Sequence, residues 1–248
     1  MNNMNENFDA FDEYAMKFDF EEDAIRRKYE HSYRVMRESD AIVYFLGLEE
    51  DDSYLACMIG LLHDIGRFIQ WRDYHTFSDR NSIDHAKLGA KILFDEGLIK
   101  KFNLDKNDYN LVRSAIENHG VCKLNEKDLD EKTLLHSKII RDADKIDILY
   151  QFSNPKILKL EEEDNNDISE KVKDDFYNHK SILKDDVKNR NDETLMKIGI
   201  VFDLNFEYSK STILEHEYLN RMLECLNNKE LFKPYIEEAI KFLKGSDK

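Results

Sequence analysis

The sequence predicts an all-α protein, and two observations carry that expectation. Only 8 of its 248 residues are glycine and 2 are proline, whereas an all-β sandwich or barrel needs turn residues at many closely spaced positions. Apolar residues also recur every three to four positions along most of the chain, which is the spacing of an amphipathic helix. We therefore expect a chain that is helical nearly throughout.

The first half of the chain opens with a short helix and continues with two long ones. The second helix runs over about 22–45, and Gly47 is placed to end it. Ser53 is expected to cap a third segment, 54–65, which is apolar on nearly every side and therefore belongs in the core. Gly66 follows this segment directly and is expected to close it in the left-handed conformation.

Three further helices are predicted before a change in composition. A polar and aromatic loop is expected over 70–84, and Asp84 is a suitable N-cap for a helix over 85–96. Asp108 starts the next helix, and a further one spans 134–152.

The chain is expected to form a single domain over 1–248, with a core at about 20–152. The composition becomes strongly acidic over 161–175, which is typical of a solvated helix face or surface loop. The tail beyond residue 192 is again helical. We expect residues 153–248 to form an acidic connection and a C-terminal helical extension packed on the core.

The composition also excludes some classes of binding partner and indicates where in the cell the protein is located. The formal net charge of −15 argues against a nucleic-acid backbone as the main partner. The longest apolar run, 56–62, is too short to cross a bilayer, and the first residues lack the pattern of a signal peptide. Three widely spaced cysteines suggest no disulfide framework, so we expect a cytoplasmic protein. The sequence does not determine the oligomeric state, and a homo-oligomer is one of the states that it allows.

The His63-Asp64 pair is the first candidate for chemistry because it ends the most apolar helix. An ionisable pair buried there without partners would cost several kcal/mol. Asp144 likewise lies next to an apolar stripe, and His31 lies within the long second helix. Two imidazoles and two carboxylates form a ligand set suited to iron, manganese, nickel, cobalt or zinc.

Two more histidines lie at predicted helix ends. His85 opens one helix and His119 closes another. The free N–H groups at a helix start are also a natural anion site. These two histidines are therefore candidates for binding a second metal ion or for contacting a phosphate directly.

Three segments resemble motifs of the HD superfamily of metal-dependent phosphohydrolases. They are Leu61-Leu62-His63-Asp64-Ile65-Gly66-Arg67, Ser82-Ile83-Asp84-His85-Ala86-Lys87-Leu88-Gly89-Ala90 and Ala143-Asp144-Lys145-Ile146-Asp147. The resemblance implies an HD-domain helical bundle with additional C-terminal helices. It also implies first-metal ligands at His31, His63, Asp64 and Asp144, and second-metal ligands at His85 and His119. The metal would be one or two divalent ions of Mn, Fe, Ni, Co, Zn or Mg.

The resemblance further implies hydrolysis of a nucleotide or related small phosphoester by metal-activated hydroxide. Asp64 would orient the attacking water as well as bind metal, and Arg67 and Lys145 would stabilise the phosphoryl charge. The branch of the superfamily that acts on cyclic dinucleotides has a further histidine beside the one that matches His119, and a Gly-Tyr-Pro sequence. Here Gly120 follows His119 and no Gly-Tyr-Pro sequence occurs, so that specificity is not implied. Candidate acceptors for the second nitrogen of a ligand histidine are Asp84, Asp142 and Asp147.

Two alternatives remain open at this stage. One is a metal-binding regulatory or scaffold module without turnover, in which the acidic segment and the C-terminal helices contact a partner protein. The other keeps the metals but performs oxygen activation at a di-iron centre, which some relatives of this fold carry out. Tyr74, His75 and Phe77 are candidates for lining the pocket, although His75 is expected to be a plain loop histidine. His136, His179 and His216 are expected to be structural or exposed.

Overall fold

The computed structural model describes residues 4–157 and 167–245, and every regular element within these ranges is helical. The all-α expectation is therefore confirmed. The chain divides into two compact units, Met1–Asp144 and Lys145–Lys248. The single domain with an extension packed on its core stays a prediction. Among the described helices, none combines the length and the apolar character needed to cross a membrane.

The first unit contains all six predicted metal ligands. Its second helix ends as expected at Gly47, which has a left-handed φ of 67°. Asp84 caps the next predicted helix, since its carboxylate accepts hydrogen bonds from the amides of Ala86 and Lys87. The helices are α1 (Met4–Ala15), α2 (Asp23–Leu46), α3 (Glu50–Leu62), α4 (Ile65–Tyr74), α5 (His85–Ala90, continued as a π-helix over Lys91–Asp95), α6 (Tyr109–Asn118) and α7 (Glu131–Phe152), which continues into the second unit.

Three local expectations were wrong. Helix α3 begins at Glu50, so Ser53 lies inside it and donates a hydrogen bond to Asp40 instead of capping the helix. Gly66 lies inside α4 and does not have a positive φ. The predicted loop over 70–84 is shorter because α4 continues to Tyr74 before the chain turns. Each error has the same cause, since turn-forming residues also occur inside helices that tertiary packing stabilises.

Helices α2 and α3 pack closely because Gly60 has no side chain. A Cβ atom at Gly60 would lie 2.7 Å from the Cα atom of Met36 and 3.0 Å from the hydroxyl of Ser39. Ile42 in α2 and Ile59 in α3 are both almost fully buried. This close approach places the middle of α2, which carries His31, beside the end of α3.

The start of α4 meets α5 in an even closer contact between two glycines. A Cβ atom at Gly66 would lie 2.3 Å from the carbonyl oxygen of His85 and 2.7 Å from the amide nitrogen of Gly89. Both atoms belong to the backbone, so neither can rotate away as a side-chain tip could. Gly66 therefore fixes the distance between the His63-Asp64 pair and His85.

The second unit has its own apolar core. Fully buried side chains from several helices form it, among them Phe176, Leu195, Ile198 and Phe232. The predicted acidic residues Glu161, Glu162, Glu163 and Asp164 lie outside the described residues. The helices wholly within this unit are α8 (Glu170–Tyr177), α9 (Arg190–Ile198), α10 (Glu207–Glu215), α11 (Tyr218–Cys225) and α12 (Lys229–Leu243), so the helical tail is confirmed.

Replacing Gly66 by alanine is expected to destabilise the first unit. The added methyl group would overlap the backbone of α5, and overpacking of this kind costs about 1–3 kcal/mol. Urea unfolding followed by circular dichroism would measure the loss. Gly199→Ala is the control, because its nearest atom, in Phe176, would lie 3.4 Å away. Equal stability of Gly66→Ala and wild type would contradict the close packing of α4 and α5.

Candidate metal centre

Six helices bring the six predicted ligands to one place in the first unit. Each ligand lies in or beside a helix whose apolar face is buried, so packing of the helices fixes the position of the ligand. Five of the six residues are buried, and the side chain of Asp144 is 17% exposed. The positions are His31 in α2, His63 and Asp64 between α3 and α4, His85 at the first position of α5, His119 directly after α6, and Asp144 in α7.

The first group of ligands surrounds the Nε2 atom of His31. This atom lies 3.2 Å from Nε2 of His63, 3.2 Å from Oδ1 of Asp144 and 3.4 Å from Oδ2 of Asp64. Nitrogen and oxygen ligands that share one metal ion at about 2.0–2.2 Å are separated by distances of this size. The four side chains could therefore hold a single cation.

The second group uses the other oxygen of the same aspartate. Oδ1 of Asp64 lies 3.4 Å from Nε2 of His85 and 3.6 Å from Nε2 of His119, and these two nitrogens are 3.0 Å apart. Oδ1 is buried and has no hydrogen-bond partner within the described residues, although the Nε atom of Arg67 forms an ion pair with it at 3.5 Å. The carboxylate of Asp64 thus faces one histidine pair with each oxygen.

In three of the four ligand histidines, the Nδ1 atom, on the side of the ring away from the cluster, contacts a hydrogen-bond acceptor. Nδ1 of His63 donates to the carbonyl of Gly60 at 2.8 Å, and Nδ1 of His119 donates to that of Ile116 at 2.7 Å. Nδ1 of His85 faces both oxygens of a carboxylate at 2.8 and 2.9 Å. These partners assign the proton to Nδ1 and leave Nε2 with a lone pair. Two such lone pairs face each other at 3.0 Å, an arrangement that a cation stabilises.

The sequence order of these ligands agrees with a known family. Residues 29–149 match the family model of the HD domain. This chain contains an HD domain. The match lies within the core expected over 20–152 and includes all six predicted ligands. Comparisons with curated proteins and with solved structures find no match.

The HD domain indicates the superfamily of metal-dependent phosphohydrolases, and the His/Asp cluster of this domain could bind a divalent metal. Burial lowers the pKa of His63 to about 3 and that of His85 to about 4. Both imidazoles are therefore neutral near pH 7, which is the form that binds a metal ion.

The carboxylates of Asp64 and Asp144 are ionised, and the cause is their charged neighbours rather than burial. Burial alone raises the pKa of Asp64, but the ammonium of Lys28 and the surrounding histidines outweigh this effect and hold the pKa well below its usual value. Burial likewise raises the pKa of Asp144, and His31 and its neighbours reverse that shift. The cluster therefore presents anionic oxygens beside neutral nitrogens.

Sequence reasoning missed Lys28, which belongs to the site. Its Nζ atom lies 2.6 Å from Oδ2 of Asp64 and 5.4 Å from the centre of the Phe77 ring. The side chain is 19% exposed, so a charged group lies between the cluster and solvent. The only signal in the sequence is its position three residues before His31, which puts both on one helix face.

Asp79 was also missed, and it changes the role expected for Arg67. The carboxylate of Asp79 accepts a hydrogen bond from Nδ1 of His85, while Asp84, the predicted acceptor, caps α5 instead. Nη1 of Arg67 lies 3.1 Å from Asp79 and donates to the carbonyl of Phe77 at 2.6 Å. These contacts hold Arg67 beside the loop that carries Asp79.

The remaining predicted residues lie in other environments. Lys145 forms an ion pair with Asp203 at 2.8 Å within the second unit. Asp147 accepts a hydrogen bond from Gln151, and Asp142 is fully buried. Tyr74 and His75 are exposed at the end of α4. The other histidines pair with side chains away from the cluster, His136 with Asp52, His179 with Glu238 and His216 with the ring of Tyr218.

Asp79→Asn is expected to weaken metal binding at the His85 and His119 position by about 10–100-fold, because the carboxylate that orients the His85 ring is lost. Titration of the metal-free protein with Mn²⁺ or Co²⁺, followed by calorimetry, would measure this. Asp84→Asn is the matched control, since asparagine retains the N-cap and does not alter the His85 contact. Equal affinities for the two variants would contradict the role given to Asp79.

Proposed function

We propose that this HD-domain protein is a metal-dependent phosphohydrolase that acts on a nucleotide or related small phosphoester. The observation that carries the proposal is the buried carboxylate of Asp64, which faces a different histidine pair with each oxygen. One of those oxygens has no hydrogen-bond partner within the described residues. A buried anion in this state is stabilised by a bound cation.

The donor set fits two divalent ions that share Asp64. His31, His63 and Asp144 would complete the first site, and His85 with His119 would complete the second. Four imidazoles favour a transition metal such as Mn, Fe, Co, Ni or Zn over Mg²⁺. When bound, such ions generate a nucleophile from water at neutral pH and offset charge on the phosphoryl oxygens.

The residues of the chain then have distinct tasks. Lys28 lies at the partly exposed edge of the cluster, where its ammonium can contact a phosphoryl oxygen while it holds Asp64 in the ionised form. Arg67 was expected to clamp the phosphate, but its contacts with Asp79 and the Phe77 carbonyl favour a positioning role. Through Asp79, Arg67 helps to keep the His85 ring in place. A phosphate contact of Lys145 stays a prediction.

Activity can be tested with a pair of buried histidines. His63→Gln should lower kcat/KM towards aryl phosphoesters and nucleotides by at least about 10³-fold and reduce bound metal, because it removes a ligand nitrogen from the cluster. His136→Gln is the matched control, since His136 is equally buried but pairs with Asp52. Both variants should keep the helical circular dichroism of the wild type, which separates loss of metal from loss of fold.

Three results would contradict the proposal. Full activity in His63→Gln would remove the metal-based mechanism. Bound metal with no turnover of mono-, di- or triphosphate esters would favour the scaffold module. Oxygen-dependent turnover of a diol, with iron bound and no phosphoester hydrolysis, would favour the oxygenase chemistry.

A further inference from the structure

The last turn of α6 is held by a buried arginine of α7. Arg141 is 3% exposed. Its Nη1 atom forms hydrogen bonds with three carbonyl oxygens, those of Asn118, His119 and Val121, at 3.0, 3.3 and 2.6 Å. The final carbonyl groups of a helix have no partners within that helix. Helix α6 ends at Asn118, so Arg141 supplies hydrogen bonds that α6 cannot make itself.

Solvent could reach the end of α6 without any arginine. The chain is exposed over 120–123, directly after His119, so water can hydrogen-bond to the turn that follows the helix. A buried guanidinium, by contrast, loses its hydration and requires hydrogen-bond acceptors in fixed positions. Fixed geometry, rather than hydrogen bonding alone, is therefore what Arg141 adds to the end of α6.

His119 needs this support more than the other three ligand histidines. His31 lies inside α2, His63 lies between α3 and α4, and His85 begins α5. His119 differs from them because it follows the end of a helix and precedes an exposed segment, and helix ends fray. Nδ1 of its ring donates to the carbonyl of Ile116, which belongs to the same last turn. Movement of that turn would therefore move the His119 ring.

One face of α7 contacts α6 and also carries a predicted metal ligand. Arg141 precedes Asp144 by three residues, a spacing that places two side chains on the same helix face. Asp144 belongs to the first group of ligands, and one of its oxygens lies within 4.8 Å of a ring nitrogen of His119. Arg141 is thus placed to hold the end of α6 against the helix that carries Asp144.

We infer that Arg141 is a positioning residue for the second metal position, which is formed by Asp64, His85 and His119. It holds the backbone of His119 so that Nε2 of this ring stays beside that of His85, 3.0 Å away. The inference rests on the proposed function for the presence of a second ion. Displacement of His119 removes one of three protein ligands from the second position, whereas the first position does not use this histidine.

Calorimetric titration of the metal-free protein with Mn²⁺ tests this inference without turnover. Arg141→Lys keeps a positive charge but loses the planar guanidinium. It should weaken binding at the second position by about 10–100-fold, as loss of a residue that orients a metal ligand does, and leave the first position unchanged. His119→Gln identifies the second binding event, because it removes a ligand. Arg113→Lys is the matched control, since Arg113 lies on α6 but pairs with Asp95 and Glu117 at the surface.

Three results of this titration would overturn the inference. The first is unchanged binding at the second position in Arg141→Lys. The second is an equal loss at both positions, which would make Arg141 a general support of the first unit. The third concerns the double variant: adding Arg141→Lys to His119→Gln should weaken metal binding no further, because Arg141 acts through His119. A further loss would contradict that.

Nitrogen NMR of the metal-free protein separates this inference from the proposed function. In wild type, the His119 ring should carry its proton on Nδ1, which donates to the Ile116 carbonyl. Arg141→Lys should give a mixture of both ring tautomers at His119, whereas His63, held by the Gly60 carbonyl, should not change. If the wild type binds no metal, the proposed function fails, and the His119 tautomer alone decides the role of Arg141. An unchanged His119 signal would then overturn that role.

Discussion

The structure of the first unit depends on one buried carboxylate. Asp64 lies between two groups of imidazoles, and its two oxygens face different groups. The energetic cost of burying this charge is offset in part by the ammonium of Lys28. The remaining oxygen, Oδ1, has no hydrogen-bond partner within the described part of the chain, and the Nε atom of Arg67 lies 3.5 Å from it. A metal ion shared with His85 and His119 would bind this oxygen directly. The helices around Asp64 hold the imidazoles and carboxylates of the cluster close to one another.

The positions of these helices depend on close packing of their backbones more than on individual side-chain contacts. Gly60 lets α3 approach α2, and Gly66 lets α4 approach α5, so that ligands from distant parts of the chain meet within about one hydrogen-bond length. The rings are then fixed by acceptors on their outer side, among them the Gly60 carbonyl and Asp79. Fixed ring orientation matters because a metal ion requires its ligands at defined angles and distances.

The sequence predicted much of this arrangement but not all of it. Helical spacing and the position of the His63-Asp64 pair at the end of an apolar segment were enough to predict the fold class and the first candidates. Lys28 could not be singled out, because it is one of three adjacent basic residues and the rotation of α2 decides which of them faces the cluster. Asp79 lies in a loop without periodicity, so no pattern connects it to His85. Gly66 looked like a helix cap, since close packing against α5 leaves no mark in local sequence.

Anomalous diffraction from crystals grown with Mn²⁺ would show whether Asp64 is shared by two metal ions. We expect one peak bound by His31, His63, Asp64 and Asp144, and a second bound by Asp64, His85 and His119. Each ligand atom should lie at about 2.0–2.2 Å from its ion, as for other nitrogen and oxygen ligands. A folded protein with no peak near Asp64 at saturating Mn²⁺, and none when the measurement is repeated with Fe²⁺, Co²⁺, Ni²⁺ or Zn²⁺, would contradict it.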